Sequence, residues 1–207
     1  MNKPKITFLI FTFMLVGLFG STFSFAQSDA KTPQQTEPSY EVVLQILIAS
    51  NGAANNDKAV PQTLSNVVRK LKTTYSFSEY RLASTYLERV SNTVEHKSIF
   101  TEYGQNSVTT NPVFSDWTLR DLRSMPNSKG QNAVQFQSFR FGARVPIVVA
   151  SSKDESGKMF PVINYEAIGL TLNRLSLMEN EPTVIGSLST SKADDLMFLV
   201  LTVKPID

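Results

Sequence analysis

FRFGARVPIVVASSKDESGKMFPVINYEAIGLTLNRLSL, the segment from Phe139 to Leu177, carries the pattern around which the rest of the chain is organised. It is rich in β-branched and aromatic residues on both sides of the polar loop Ser151–Lys158, which is typical of two strands joined by a turn. Asp154, Glu155 and Gly157 are residue types found in calcium loops. However, the ligand spacing of a helix–loop–helix site is missing, which favours a solvated hairpin tip. The segment therefore predicts a β-hairpin.

The alternation of apolar residues changes parity inside the first strand of this hairpin. Phe136 occupies an even position, whereas Phe139 and Phe141 occupy odd positions. One extra residue in a strand, a β-bulge, sends every later side chain to the opposite face. The change therefore predicts a bulge, with Gly142 in the left-handed backbone region that glycine tolerates. Pro146 predicts that the hydrogen-bond ladder is interrupted there or lies at an edge.

Several other segments of the C-terminal half also have strand character. Strands are predicted at Ala133–Val149, Phe160–Tyr165, Ile168–Leu175 (with Gly169), Pro182–Leu188 (with Gly186) and Leu196–Val203. The last of these is apolar enough to be an inner strand. The single tryptophan, Trp117, is interpreted as a core or rim aromatic residue.

The N-terminal half of the folded region contains one helix between two strands. Tyr40–Ala49 is almost continuously apolar, which predicts a central strand covered on both faces. Thr63–Thr73 has apolar residues at i, i+3, i+4 and i+7, the pattern of an amphipathic helix, and carries the outward cations Arg69, Lys70 and Lys72. Glu79–Val90 has Tyr80, Leu82, Tyr86 and Val90 at even spacing, which predicts a strand with one buried face. A βαβ-type unit is expected, with a right-handed crossover if its strands are parallel.

The fold class predicted from these segments is α+β and mostly β. The N-terminal β-α-β unit is followed by an antiparallel strand-rich sheet or sandwich. A further strand is predicted at His96–Tyr103. His96, the single histidine, is interpreted as an exposed strand-end residue because its neighbours are polar and no second ligand of its kind exists.

The N-terminus has the order of a secretory signal peptide. Lys3 and Lys5 precede an apolar run, and small residues end at Ala26, which predicts cleavage after residue 26. A retained membrane anchor is the alternative, because the run is about the ~20 residues that span a bilayer. Residues 27–39 are polar with two prolines and predict a flexible linker. Residues 40–207 are expected to form one globular domain, with possible sub-units 40–105 and 113–207.

Composition excludes several classes of function. The chain has no cysteine, so disulfides, thiol redox chemistry and thiolate metal sites are impossible, and burial alone must stabilise the exported domain. Loss of Lys3 and Lys5 from 20 basic residues leaves 18 against 18 acidic ones. A neutral chain offers no argument for nucleic acid as a partner.

Motifs of catalysis are missing from the sequence. It contains no GxSxG elbow, HExxH helix, phosphate loop or dinucleotide fingerprint. No catalytic residue, cofactor-binding residue or metal ligand is predicted, and the protein is expected not to be an enzyme. A hydrolase with two carboxylates from separate strands stays an alternative, since such pairs meet only in space. The adjacent pair Asp194-Asp195 is explained by turn formation before the last strand.

Three short patterns in residues 139–188 resemble a known family. Gly142-Ala143-Arg144-Val145-Pro146 is a Gly-x-x-x-Pro pattern, Tyr165 and Gly169 form Tyr-x-x-x-Gly before alternating residues, and Val184–Leu188 contains Gly186. Together they resemble the core domain of secretins, the outer-membrane ring proteins of type II and III secretion and type IV pilus systems. The resemblance implies a related strand arrangement in a small soluble component of an envelope machine.

The export signal, the strand-rich pattern and the missing catalytic motifs predict an exported, non-catalytic binding or assembly module of the cell envelope. It would pair through sheet edges or an apolar patch with an envelope protein or with itself. The expected location is periplasmic or secreted, with no membrane span after signal cleavage and no cofactor. A secretin-like soluble subunit and a carboxylate-dependent hydrolase are the alternatives.

Overall fold

The computed structural model describes residues 38–52, 59–100, 111–189 and 195–206. These ranges contain nine strands, a 3₁₀ turn and an α-helix. The elements are β1 (Ser39–Ser50), the 3₁₀ turn (Gln62–Leu64), α1 (Ser65–Thr74), β2 (Glu79–Val90), β3 (Val94–Phe100), β4 (Val113–Arg120), β5 (Arg123–Pro126), β6 (Asn132–Lys153), β7 (Met159–Met178), β8 (Thr183–Ser189) and β9 (Leu196–Ile206). The expected signal peptide, residues 27–37 of the expected linker and Asp194 lie outside the described residues. The predicted class, α+β and mostly β, is confirmed.

Sheet A consists of four antiparallel strands in the order β2-β1-β9-β8. β1 is central, and every side chain from Leu44 to Ala49 is buried. An apolar run without alternation fits this position because both faces of the strand are covered. The predictions of a central strand at Tyr40–Ala49 and an inner strand at Leu196–Val203 are confirmed.

Helix α1 and the preceding 3₁₀ turn cover one face of sheet A. Leu64, Val67 and Leu71 lie on one side of the helical segment and are buried. They pack with Leu47 of β1 and Phe198 of β9 in one apolar cluster. Burial of this stripe stabilises a helix of only ten residues, which would be marginal alone. The helix predicted over Thr63–Thr73 is confirmed.

Strand β2 changes face along its length. Its register with β1 skips Ala83, and such an extra residue moves later side chains to the other side of a sheet. Tyr80 and Leu82 therefore pack beneath α1, whereas Tyr86 packs between the two sheets. The strand predicted at Glu79–Val90 is confirmed, but the prediction that these residues share one buried face is wrong.

The strand–helix–strand order of the N-terminal half is present without a parallel crossover. β1 and β2 pair antiparallel, with Ser50 opposite Glu79. The chain thus leaves β1 and enters β2 at the same end of the sheet. The Ser78 backbone N–H donates to Asn51 Oδ1 at 3.1 Å, which helps to close this junction. The β-α-β order is therefore confirmed, but a right-handed parallel crossover does not occur.

Sheet B contains the segment Phe139–Leu177. Its order is β3-β4-β6, with β5 following β4 along the same edge of β6 and β7 pairing along the other edge. β6 and β7 form one long hairpin, as predicted, with 22 and 20 residues. β7 is a single strand where two were predicted.

The parity of the buried side chains changes at one level of sheet B, between Phe136 and Phe139. Phe136 pairs with Leu175 and Phe139 with Leu172, so both strands have two residues in between and neither has an extra one. Instead, Arg174 has a φ of +55° in the left-handed region. Asp121, at the same level between β4 and β5, has a φ of +57°. The parity change is confirmed, but its predicted cause, a bulge, is wrong.

Gly142 also differs from its prediction. The described glycines with positive φ are Gly130 and Gly157, both in turns, so Gly142 lies in ordinary extended backbone. A register shift in β6 occurs further on, between Val148 and Ala150. The bulge expected at Gly142 is therefore absent, and an irregularity lies seven residues further along, at Val149.

The main apolar core lies between the two sheets. Trp117, Phe139 and Phe141 point inward from sheet B and are at most 1% exposed. They belong to the same buried cluster as Leu44 of β1 and Leu199 of β9. Trp117 is thus a core residue, one of the two positions expected for it. The molecule has three layers in the described residues: helix, four-stranded sheet and five-stranded sheet.

Candidate functional site: the β6–β7 arm and the outer face of sheet B

The distal part of the β6–β7 hairpin extends beyond its neighbouring strand. β4 pairs with β6 only as far as Arg144. The two strands continue beyond this point as a two-stranded ribbon, which we call the arm: Pro146–Lys153, the turn at residues 154–158, and Met159–Tyr165. Within the described residues, both outer edges of the arm have no paired strand. Such edges present unpaired backbone N–H and C=O groups.

The arm concentrates the exposed apolar surface of the molecule. Eight large apolar side chains are exposed among the described residues, and six of them belong to the arm. These six are Val148, Val149, Met159, Phe160, Val162 and Tyr165. Val148 is 65% exposed, although a valine in a soluble strand normally faces a core. Concentrated apolar exposure of this kind marks an interaction surface.

The tip of the arm is a tightly hydrogen-bonded turn. Asp154 Oδ1 accepts hydrogen bonds from the Ser156 backbone N–H, the Ser156 hydroxyl and the Lys158 N–H. Gly157 has a φ of +82°, which a glycine adopts without strain. The predicted hairpin tip is confirmed. The described residues hold no group of three His, Cys, Asp or Glu side chains that could bind a metal.

We expect the Asp154 turn to loosen in acid. The hydrogen bond from the Ser156 hydroxyl, followed by those from the Lys158, Ser156 and Gly157 backbone, holds the pKa of Asp154 below its usual value. Because the pKa is lowered in the folded protein, the ionised Asp154 carboxylate stabilises the turn at every pH above the ordinary carboxyl pKa. This stabilisation is lost as the pH falls through the lowered pKa of the folded protein. In an NMR titration, the Ser156 and Lys158 amide shifts should follow this lowered midpoint. Both should lose the transition in Asp154→Ala, and a midpoint at the ordinary carboxyl pKa would contradict the geometry.

The Gly-x-x-x-Pro and Tyr-x-x-x-Gly patterns pair with each other in the β6–β7 hairpin. Gly142 pairs with Gly169, and Pro146 pairs with Tyr165. Gly142 and Pro146 are four residues apart, and so are Tyr165 and Gly169. Two antiparallel strands can therefore form both pairs in one register. The Tyr165 ring lies 5.6 Å from the Phe114 ring, centroid to centroid. The patterns thus place two glycines side by side in the sheet and an aromatic contact next to them.

The paired glycines form the floor of a groove on the outer face of sheet B. The groove has a volume of about 900 Å³. Its walls include Arg140 on one side and Arg144 with Phe114 on the other. The Arg144 guanidinium lies over the Phe114 ring, 5.3 Å from its centroid. Because glycine has no side chain, the floor of the groove is the backbone itself. Such a floor suits a flat or extended ligand.

The seven predicted motif residues are divided between core and surface. Phe139 and Phe141 are core residues, whereas Gly142 and Gly169 line the groove. Pro146 and Tyr165 lie at the base of the arm. Gly186 is in β8, where an added Cβ would lie against the Leu170 side chain, so this glycine permits close packing of β8 on β7. Only part of the set therefore shares one surface.

His96 differs from its predicted position. It lies within β3, its side chain is only 23% exposed, and Nδ1 is 2.6 Å from Glu88 Oε1. Its ring packs between Tyr86 and Trp117, at centroid distances of 4.8 and 5.9 Å. The prediction of an exposed strand-end histidine is therefore wrong. The contacts with Glu88 and Tyr86 come from β2, a strand of the other sheet. Polar neighbours in the sequence do not indicate which residues of another sheet lie opposite.

Carboxylates are sparse in two grooves that the described residues of sheet B form. The groove over the paired glycines contains Asp116, and a second groove, lined by Arg123, Gln137 and Arg174, contains Asp121. Each groove thus contributes one carboxylate, whereas hydrolysis by paired carboxylates needs two across one bond. The hydrolase alternative gains no supporting observation from these grooves.

The arm's exposed surface was the feature that sequence reasoning missed. Its signal was present: Ile147-Val148-Val149 places apolar residues at consecutive positions, so they cannot all share one face of a strand. Consecutive apolar residues were compatible with a strand buried on both faces. Only the length of β4 shows that nothing in the described chain covers this end of β6.

Comparisons with known proteins give no family for the chain. No protein-family model matches it, and no curated protein matches it. Among the described residues, no helix has the length and apolar character needed to cross a membrane.

Proposed function

We propose that the protein is an exported, non-catalytic assembly module that binds a partner protein of the cell envelope through the β6–β7 arm. The observation that carries this proposal is the arm itself, with two unpaired edges and six exposed apolar side chains. A two-stranded ribbon is marginal in water and gains stability from a third strand. A partner strand added to an edge would satisfy backbone groups and cover apolar side chains together.

The proposed exported location rests on the N-terminal signal pattern of the sequence. A secretin-like soluble subunit is the second candidate within this class. Pairing of Gly142 with Gly169 and of Pro146 with Tyr165 favours it, because the resembling patterns become one structural unit. Deletion of the gene should then impair secretion or piliation, and normal secretion and piliation would remove this candidate while leaving the broader proposal intact.

Site-specific photo-crosslinking in the producing cells tests the arm. A photoreactive amino acid at Val162 is expected to crosslink to a partner, which mass spectrometry identifies. The same amino acid at Leu87 is the matched control, because Leu87 is 56% exposed but lies in β2, away from the arm. With the identified partner purified, Val148→Lys combined with Val162→Lys should weaken binding at least tenfold. Leu87→Lys should change it less than twofold.

The proposal fails if the photoreactive amino acid at Val162 crosslinks to no protein while the chain is folded. It also fails if the arm double variant binds the identified partner as well as the unaltered protein does. Both variants should keep the thermal melting temperature within a few degrees, since the altered side chains are exposed. Crosslinks to a second copy would identify self-association as the assembly.

A further inference from the structure

The outer face of sheet B carries excess positive charge. Six exposed cationic side chains project from it: Lys97, Arg120, Arg123, Arg140, Arg144 and Arg174. The acidic side chains on this face are Glu95, Asp116 and Asp121, and Glu95 is paired with Arg120 at 3.2 Å. Within the described residues, no ion pair is formed by Arg140 or Arg144. Arg140 and Arg144 are both exposed, so their charge can be reached by a partner.

The glycine groove crosses the strands of this charged face. Lys97, Asp116, Gly142 and Gly169 occupy one row across β3, β4, β6 and β7. The two glycines have no side chains above the sheet, whereas the Asp116 side chain projects from it. Asp116 Oδ1 lies 3.1 Å from the position that a Cβ on Gly142 would occupy. Asp116 thus adds a carboxylate to the groove, whose lining continues to Lys97 of β3. Arg140 and Arg144 stand on its two sides, about 13 Å apart at about 3.3 Å per residue.

We propose that this groove docks an extended acidic segment of a protein partner, with adjacent carboxylates bound to Arg140 and Arg144. Successive side chains of an extended segment point to opposite sides. Two neighbouring acidic residues in a segment lying across the strands would thus reach one arginine each. Guanidinium–carboxylate pairs are well suited to such contacts because they can be bidentate. The inference rests on the proposed function and adds the chemistry of the partner.

Asp116 favours a peptide over a phosphate polymer. Its carboxylate lines the groove, where it repels a ligand that carries only negative charge and accepts hydrogen bonds from one with N–H groups. A peptide segment has both carboxylates and N–H donors. The floor of glycine backbone allows the main chain of such a segment to lie close to the sheet.

Fluorescence anisotropy with a labelled octapeptide tests the docking. The peptide carries two adjacent glutamates, and its control carries glutamines in their place. The purified protein should bind the glutamate peptide at least tenfold more tightly, with affinity falling as salt rises. Arg140→Glu combined with Arg144→Glu should abolish this preference. The matched control, Arg69→Glu with Lys72→Glu, makes the same charge change on α1 and should alter binding less than twofold.

A variant that fills the groove separates shape from charge. Gly142→Val retains both arginines and should weaken peptide binding at least fivefold. Equal binding of the two peptides, or equal weakening by the α1 control, would overturn the inference. Polyphosphate that displaces the peptide at lower concentration than a glutamate polymer does would overturn it too. Arm crosslinking is independent: if it persists while peptide preference is missing, the docking inference fails and the proposed function stands.

Discussion

Replacement of Phe139 by alanine should lower the free energy of unfolding by about 3–5 kcal/mol. Phe139 is 0% exposed, and its ring centroid lies 6.4 Å from that of Trp117. Its loss removes apolar contacts from both sheets and leaves a cavity that β6, paired on both edges at this level, cannot close by moving. Urea denaturation followed by Trp117 fluorescence measures the change.

Arg140→Ala is the matched control for this substitution. Arg140 is the next residue in the same strand, but its side chain is exposed on the outer face. Its removal should change the free energy of unfolding by less than about 0.5 kcal/mol. A similar loss for both variants would show that the alternation of faces along β6 is wrong. A loss below about 1 kcal/mol for Phe139→Ala would show that the space between the sheets is loosely packed.

Periodicity in the sequence was sufficient to predict most elements of the fold. The continuous apolar run of β1 predicted a central strand, and the spacing of Leu64, Val67 and Leu71 predicted the helix, because burial imposes these patterns directly. The antiparallel pairing of β1 with β2 could not be predicted in the same way. It depends on which end of the sheet the chain re-enters, and side-chain patterns do not record that.

Backbone irregularities explain the predictions that failed. Skipping of Ala83 in β2 and the left-handed backbone at Arg174 both change which face a side chain occupies. Alanine and arginine give no sequence signal for such conformations, whereas glycine does. The bulge was predicted at Gly142 for this reason, although Gly142 lies in extended backbone and lines a groove on the outer face.

The candidate site was only partly predictable for a related reason. Gly142 and Gly169 stand out as glycines within strands, and such glycines indicate close approach of backbone or ligand. Their pairing depends on the register of β6 with β7, which the turn at residues 154–158 fixes. The exposure of Val148 and Val162 depends on where β4 begins, at Val113, which lies 35 residues before Val148 and 49 before Val162. Local patterns carry no information about that distant boundary.

The paired glycines should respond very differently to valine. A Cβ on Gly169 would lie 2.8 Å from the Phe141 carbonyl oxygen, a backbone atom in the middle of sheet B. We expect Gly169→Val to lower the free energy of unfolding by about 1–3 kcal/mol, the usual range for overpacking. A Cβ on Gly142 would instead lie 3.1 Å from the Asp116 carboxylate, which can rotate away.

Gly142→Val is therefore expected to change stability by less than about 1 kcal/mol, because the strand preference of valine offsets the small displacement of Asp116. Chemical denaturation of the two variants side by side measures the difference. A loss at Gly142 as large as that at Gly169 would mean that Asp116 is held rigidly, and the groove would then be a packed surface instead of an open one. A stable Gly142→Val with a destabilised Gly169→Val would assign the two glycines different roles: one permits close approach of neighbouring strands, and the other keeps the floor of the groove clear.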